Sequence, residues 1–384
     1  MRFLFVTGGS QGTVFVLTPL ATALRNAGHE VFLAADDSLI PVITGNGIPA
    51  VSITPTPVHY FMWTDSSGAP AKMPQSPRET MLFSGRAFAR MAEASLAALL
   101  DLASVWRPDM IIGGATSYAA SLVAAHLDVP YVRHAWDLVP TTEMDEGAVE
   151  VLEPQLRKLG LDQLPQPSTW IDIHPSVLRG ENAPPAQLMR FVPGNEQRRL
   201  ERWMYTRDSD RQRVLITAGT RGGQSRSQNA EHLRNLNDAL SKLDIEVLIA
   251  APDDIADSLR ADVGQTPVCW IPLDVVAPTC DVIVHHGGGV TAATAMNAGI
   301  PQLVAPRDDY QVTLAQPIAD FGACVLLARG QGSAGQIVQA CQQILADPGY
   351  RLRSQALAEQ IAALPSPSVV AGVLEQHASR RSRS

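Results

Sequence analysis

The chain holds 384 residues, 46% hydrophobic and 18% charged, with a formal net charge of −8. That length accommodates two domains with cores of their own. The acidic balance supplies no field to hold the chain on nucleic acid or an anionic membrane, so neither is expected as a partner.

The apolar start Met1–Thr7 reaches Gly8-Gly9 too soon for a signal peptide, and the sequence shows no apolar run of about 18 residues. A cytoplasmic protein is expected. The basic tail, Arg380-Arg381 with Arg383, reads as a frayed end. Cys269, Cys280, Cys324 and Cys341 form no C-x-x-C pair and read as reduced core residues.

Short apolar runs alternate with helical patterns from the beginning. Phe3–Val6 is a buried strand, followed by the glycine-rich turn Gly8-Gly9-Ser10-Gln11-Gly12 and an amphipathic helix to about Ala27, capped by Gly28. Further strands are expected at 30–34, 50–53, 110–112 and 129–133, with helices near 79–105 and 115–127. The stretch from Thr54 to Pro77 breaks this rhythm. Its five prolines surround Tyr60, Phe61, Met62 and Trp63, and a loop of this length is commonly functional. It can grip an apolar ligand or pack on its own domain.

An irregular, charged stretch from Pro184 to Arg213 marks the domain boundary, and a second strand–helix series starts at Val214. Strands follow at 247–250, 268–271, 282–285, 302–304 and 324–327. The expected fold is α/β, with two Rossmann-like doubly wound parallel-sheet domains facing across a cleft and ligands at the carboxyl ends of the strands. The expected bounds are 1–195 for the first domain, 196–212 for the linker and 213–365 for the second domain. Residues 366–384 form a last helix, able to cross back to the first domain, and a tail.

The strongest chemical signal is Asp281-Val-Ile-Val-His-His-Gly-Gly-Gly-Val-Thr291, a strand entering a glycine turn and then a helix. Glycines let the backbone approach a ligand, and the unsatisfied N–H groups opening the helix suit phosphate oxygens. His286 adds a donor at the turn. Taken alone, this is also what a plain glycine turn with a structural histidine looks like.

Trp270-Ile271-Pro272-Leu273, then His286-Gly287-Gly288, Gly299-Ile300-Pro301 and Gln311, resembles the nucleotide-sugar signature of GT-B glycosyltransferases. Arg190-Phe191-Val192-Pro193-Gly194-Asn195 is similar to the segment before their interdomain linker. The resemblance is to the bacterial antibiotic glycosyltransferases, within them to those forming C-glycosides, and it covers nearly the full length. It implies a metal-independent, inverting transferase without cofactor, its first domain binding the acceptor and its second a dTDP- or UDP-sugar. Trp270 and Ile271 would hold the base. His286, Gly287, Gly288, Gly289, Val290 and Thr291 would hold the diphosphate, joined by Ser10, Thr220 and Arg221. Asp309 and Gln311 would meet the sugar. Tyr60, Phe61, Trp63, His134 and Trp136 would line the acceptor site.

Three departures shape the expectation. Val290 replaces a family glycine, and Tyr310-Gln311 replaces Asp-Gln, which points to a sugar with fewer hydroxyls, a deoxyhexose. Thr13 stands where oxygen-glycosylating members carry a catalytic histidine, and a threonine is no general base. Asp137, after the fifth strand and beside Trp136, is the preferred base, with a pKa raised by partial desolvation. Asp65 and His134 are alternatives, and capping or pairing with Arg133 is the competing structural role for Asp137. His29 reads as structural. A carboxylate base suits C-glycosylation of a phenolic polyketide in antibiotic biosynthesis, although an O-glycosyl product stays open. A non-catalytic activating partner, a lipid-linked sugar transferase and a UDP-sugar epimerase are the rival readings. The protein would act as a monomer or homodimer.

Overall fold

A computed structural model of the chain describes residues 1–207, 210–219 and 226–381. The chain divides into two compact units. The first contains Met1–His174, Gly180–Val192 and Leu364–Ser384, and the second Pro175–Arg179 and Pro193–Ala363. The stretch expected as a linker groups with the second unit, because side chains on either side of its start bond there: Asn195 to Asp274 at 3.2 Å and Arg198 to Asp253 at 2.7 Å.

The first unit carries seven strands: β1 (Arg2–Val6), β2 (Glu30–Asp36), β3 (Ala50–Thr54), β4 (Met110–Gly114), β5 (Tyr131–His134), β6 (Thr169–Asp172) and β7 (Gln187–Leu188). Their order is β3-β2-β1-β4-β5-β6-β7, and every pair is parallel. Phe5 pairs with Leu33 on one side and Ile112 on the other, and all three side chains are fully buried. A strand covered on both faces reads as a continuous apolar run, which made β1 and β4 legible. The short strand β6 and the edge strand β7 lack that run, so the sequence pattern does not reveal them.

The second unit carries β8 (Gln212–Thr217), β9 (Ile245–Ala250), β10 (Val268–Cys269), β11 (Val282–His285), β12 (Gln302–Val304) and β13 (Cys324–Leu326), ordered β10-β9-β8-β11-β12-β13. It too is wholly parallel. The four cysteines are unpaired, and all but the half-buried Cys269 lie in the interior.

The long segment after β3 is not all loop. Val58–Trp63 forms a helix. Arg90, on the helix Pro77–Val105, donates to the carbonyls of Phe61 and Thr64 and ties the segment down.

The stretch Pro348–Ser379 reaches a mean hydropathy of 1.3 over an 18-residue window, although polar residues interrupt it throughout. It breaks, however, into the helices Pro348–Ala362 and Pro367–Arg381, of 15 residues each. At about 22 Å apiece, neither spans the ~30 Å of a bilayer core. The first packs on helix Gly289–Ala298 of its own unit. The second belongs to the first unit and packs on helix Gln11–Asn26. There Glu375 meets His29 at 2.8 Å, so His29 is a docking residue, and His377 meets Thr169 at 3.3 Å.

Arg133 on β5 is a buried cation. It forms a bidentate pair with Asp145 at 2.6 and 2.8 Å, lies 4.7 Å from the Trp170 ring centroid, and donates to the Ala115 carbonyl. Asp145 also accepts from Tyr118 and Thr141. Removing one partner strands a buried charge. Asp145→Ala should therefore lower unfolding free energy by about 3 kcal/mol, read from urea denaturation.

Candidate functional site

The β11–helix turn of the second unit is set by a histidine that sequence reading passed over. His285 ends β11 inside the protein. One ring nitrogen, Nε2, meets Gln302 Oε1 at 2.9 Å, and the other, Nδ1, accepts from the Gly287 N–H at 3.1 Å. Only a neutral imidazole makes both bonds. Burial pushes its pKa down to about 4, which favours that form. Gln302 in turn donates to the Ala292 carbonyl at 3.3 Å, joining strand and helix.

Gly287 has φ +97°, a conformation glycine adopts without penalty, and a Cβ there would lie 3.0 Å from Gln311 Cβ. Gly219, after β8, has φ +71°, and a Cβ there would lie 2.2 Å from His286 Cε1. The His286 ring thus rests against Gly219. Gly288 caps the helix Gly289–Ala298, whose opening N–H groups belong to Gly289, Val290 and Thr291. Ring, turn and helix start together form a small electropositive surface.

Trp270 follows β10 and is half-buried. Arg198 lies 5.2 Å from its ring centroid, its indole N–H donates to the Glu196 carbonyl at 3.3 Å, and Ile271 is buried beside it. Gln311 reaches the turn through Gly287. Its side-chain oxygen accepts from the Arg307 N–H at 2.7 Å. Asp308 caps helix Asp309–Asp320 by accepting from the Gln311 N–H at 2.9 Å, and Asp309 is ion-paired with Arg329 at 2.9 Å. Both carboxylates therefore have protein partners. Thr220 and Arg221 lie outside the described residues.

In the first unit the strand order reverses between β1 and β4, the position at which open parallel sheets take ligands. Met91 and Phe61 pack there with Ala87, and Met91 Sδ lies 3.0 Å from where a Gly8 Cβ would stand. Phe88 and Trp136 are 6.1 Å apart, and Trp136 fills the space beside Gly114. Phe61 and Trp136 are thus buried wall residues, while Tyr60 and Trp63 stand 46% exposed. Thr13 sits just behind Ser10. Its hydroxyl donates to the Ser10 carbonyl and meets Thr7 Oγ1, both at 2.8 Å. Thr116 and Ser117, not singled out from sequence, place buried hydroxyls at the end of β4 with no hydrogen-bond partner among the described residues.

Asp137 follows β5 and is half-exposed, its Oδ1 accepting from the Val139 N–H at 3.0 Å. Arg133 is paired with Asp145 and not with Asp137. The two alternatives for the base stand in unlike settings. His134 is fully buried, its Nδ1 lies 2.7 Å from the Ala135 carbonyl, and burial pushes its pKa down to about 4. It does not line an acceptor surface. Asp65 accepts from Ser67 and Ala69 within its own turn, and those bonds lower its pKa.

The model of the erythromycin biosynthesis protein CIII-like N-terminal domain matches residues 22–219, and that of the C-terminal domain matches residues 234–377. The L-demethylnoviosyl transferase of Streptomyces niveus is 34% identical over 377 residues, 97% of each chain. The Streptomyces sp. SF2575 glycosyltransferase SsfS6, complexed with thymidine diphosphate, is 30% identical with a TM-score of 0.87, covering 98% of this chain and 99% of that one. The spinosyn rhamnosyltransferase SpnG, complexed with spinosyn aglycone, is 28% identical with a TM-score of 0.85, covering 98% and 100%.

His134 and His285 both carry pKa values depressed from 6.5 to about 4. The unfolded chain takes up protons below pH 6.5 that the folded chain refuses until about pH 4, so stability is lost as pH falls through that window. Calorimetric Tm should decline steadily between those limits, and His285→Gln should make the decline shallower.

Proposed function

Since the chain belongs to the erythromycin biosynthesis protein CIII-like family of glycosyltransferases, we propose that it moves a deoxyhexose from a dTDP-sugar to an aromatic polyketide, forming a carbon–carbon bond with inversion and without a metal ion. By this reading its counterpart in chemistry is the urdamycin C-glycosyltransferase. The observation that carries the donor half is the His286–Gly289 turn, with Gly287 anchored by His285. A relative of the same fold binds thymidine diphosphate.

In the proposed reaction a ring carbon of a phenol attacks C1 of the sugar. The C1–oxygen bond to the β-phosphate breaks, and the diphosphate leaves with the electron pair. Helix N–H groups and His286 stabilise that charge. Asp137 takes the phenolic proton, which raises electron density at the ortho carbon. The attacked carbon then gives up its proton to solvent and Asp137 returns its own to the ring oxygen, which restores the aromatic phenol. Thr13 supports this assignment, because its hydroxyl is held by Ser10 and Thr7. The deoxysugar reading draws support from Asp308 and Asp309, whose carboxylates are engaged by a helix start and by Arg329.

Titration calorimetry should show dTDP binding, and no heat with either dTDP or UDP would sink the donor reading. His286→Ala should weaken dTDP by about tenfold, the loss of one hydrogen bond to a charged group. Asp137→Asn should cut turnover by about 100-fold or more while leaving dTDP affinity unchanged, and an unaltered kcat would remove Asp137 from the mechanism. The product with an anthraquinone-type phenol should survive acid hydrolysis, whereas an acid-labile product would assign the linkage to oxygen.

A further inference from the structure

Arg307 lies just past β12, in the segment leading to helix Asp309–Asp320. Its backbone N–H donates to Gln311 Oε1 at 2.7 Å, and Gln311 packs against Gly287, so Arg307 is coupled through one side chain to the His286–Gly287 turn. Among the described residues its guanidinium makes no ion pair or hydrogen bond, and Nη1 is closed to solvent without a partner. Burial holds its pKa below the ordinary arginine value, with Asp308 offsetting part of that effect. The nearby carboxylates are occupied, Asp308 by the helix start and Asp309 by Arg329. His232, on helix Arg226–Leu240, is also held below its usual pKa by burial and then by the Arg307 charge. Counted formally, Arg307 and Arg329 balance Asp308 and Asp309, and His232 brings no countercharge to the guanidinium.

A half-buried guanidinium without an anion is costly, and its planar fork of donors matches phosphate oxygens. We propose that Arg307 is a binding residue for the donor's diphosphate, which completes the ion pair that the protein leaves unmade. Resting on the dTDP-sugar reading above, this adds a charged contact outside the glycine turn and helix start. It also separates two roles along one short segment: Asp308 and Asp309 shape the loop, and Arg307 meets the ligand.

The test is calorimetry on the full chain with dTDP, thymidine and inorganic pyrophosphate as separate probes. Arg307→Gln should weaken dTDP and pyrophosphate by about 10- to 100-fold, the cost of charge-assisted hydrogen bonds. It should leave thymidine binding unchanged and flatten the salt dependence of the dTDP Kd. Arg307→Lys should recover part of the loss. The ligand-free Arg307→Gln protein should melt at the same temperature as the parent or higher, because an uncompensated charge has been removed. Affinities for dTDP and pyrophosphate in Arg307→Gln that match the parent's overturn the proposal, and so does a lowered ligand-free Tm that accounts for the affinity loss. A parent that binds pyrophosphate but not dTDP sinks the donor reading and leaves Arg307 as an anion site. A parent that binds neither overturns both.

Discussion

In a parallel sheet every strand ends at the same edge, and the loops that leave those ends carry whatever chemistry the sheet supports. Both sheets here are wholly parallel, so this constraint governs each unit. In the first it brings the Gly8–Ser10 turn, the Thr116–Ser117 hydroxyls and Trp136-Asp137 to one edge, although the first lies more than a hundred residues of chain before the other two. In the second it brings Gly219, the His286 turn and the Arg307–Gln311 segment together. Burial of the strands is what holds these edges in place.

The second-unit edge shows how a buried polar network sets the shape of an exposed turn. His285 is locked neutral between Gln302 and the Gly287 N–H, and Gln302 reaches on to Ala292 in the next helix. Every member of that network has a partner, which makes it a rigid support rather than a liability. Gly287 can take its positive φ only as a glycine, and Gly219 leaves room for His286 only as a glycine. The turn and helix start are thus positioned by the buried side chains of His285 and Gln302.

The first-unit edge is organised differently. Its wall is apolar, built from Phe61, Met91, Phe88 and Trp136, and its polar groups are hydroxyls and one half-exposed carboxylate. Asp137 and His134 lie three residues apart, yet one is at the edge and the other is sealed inside as a neutral imidazole. That difference in solvation separates their chemistry.

Much of this was determined by sequence alone. Continuous apolar runs defined the buried strands, glycines marked the turn at 286–289, and the family resemblance carried by Trp270, His286 and Gln311 pointed to a glycosyltransferase. Those signals are local, because burial on both faces and positive φ act on a few consecutive residues. Only the tertiary structure decided the rest. It showed that β6 and β7 extend the first sheet, that the last helix belongs to the first unit, and that Asp308 and Asp309 are already partnered. It also showed His285 holding the turn and Arg307 without an anion. Hydrogen-bond partners and charge balance depend on residues far apart in the chain, and no local pattern records them.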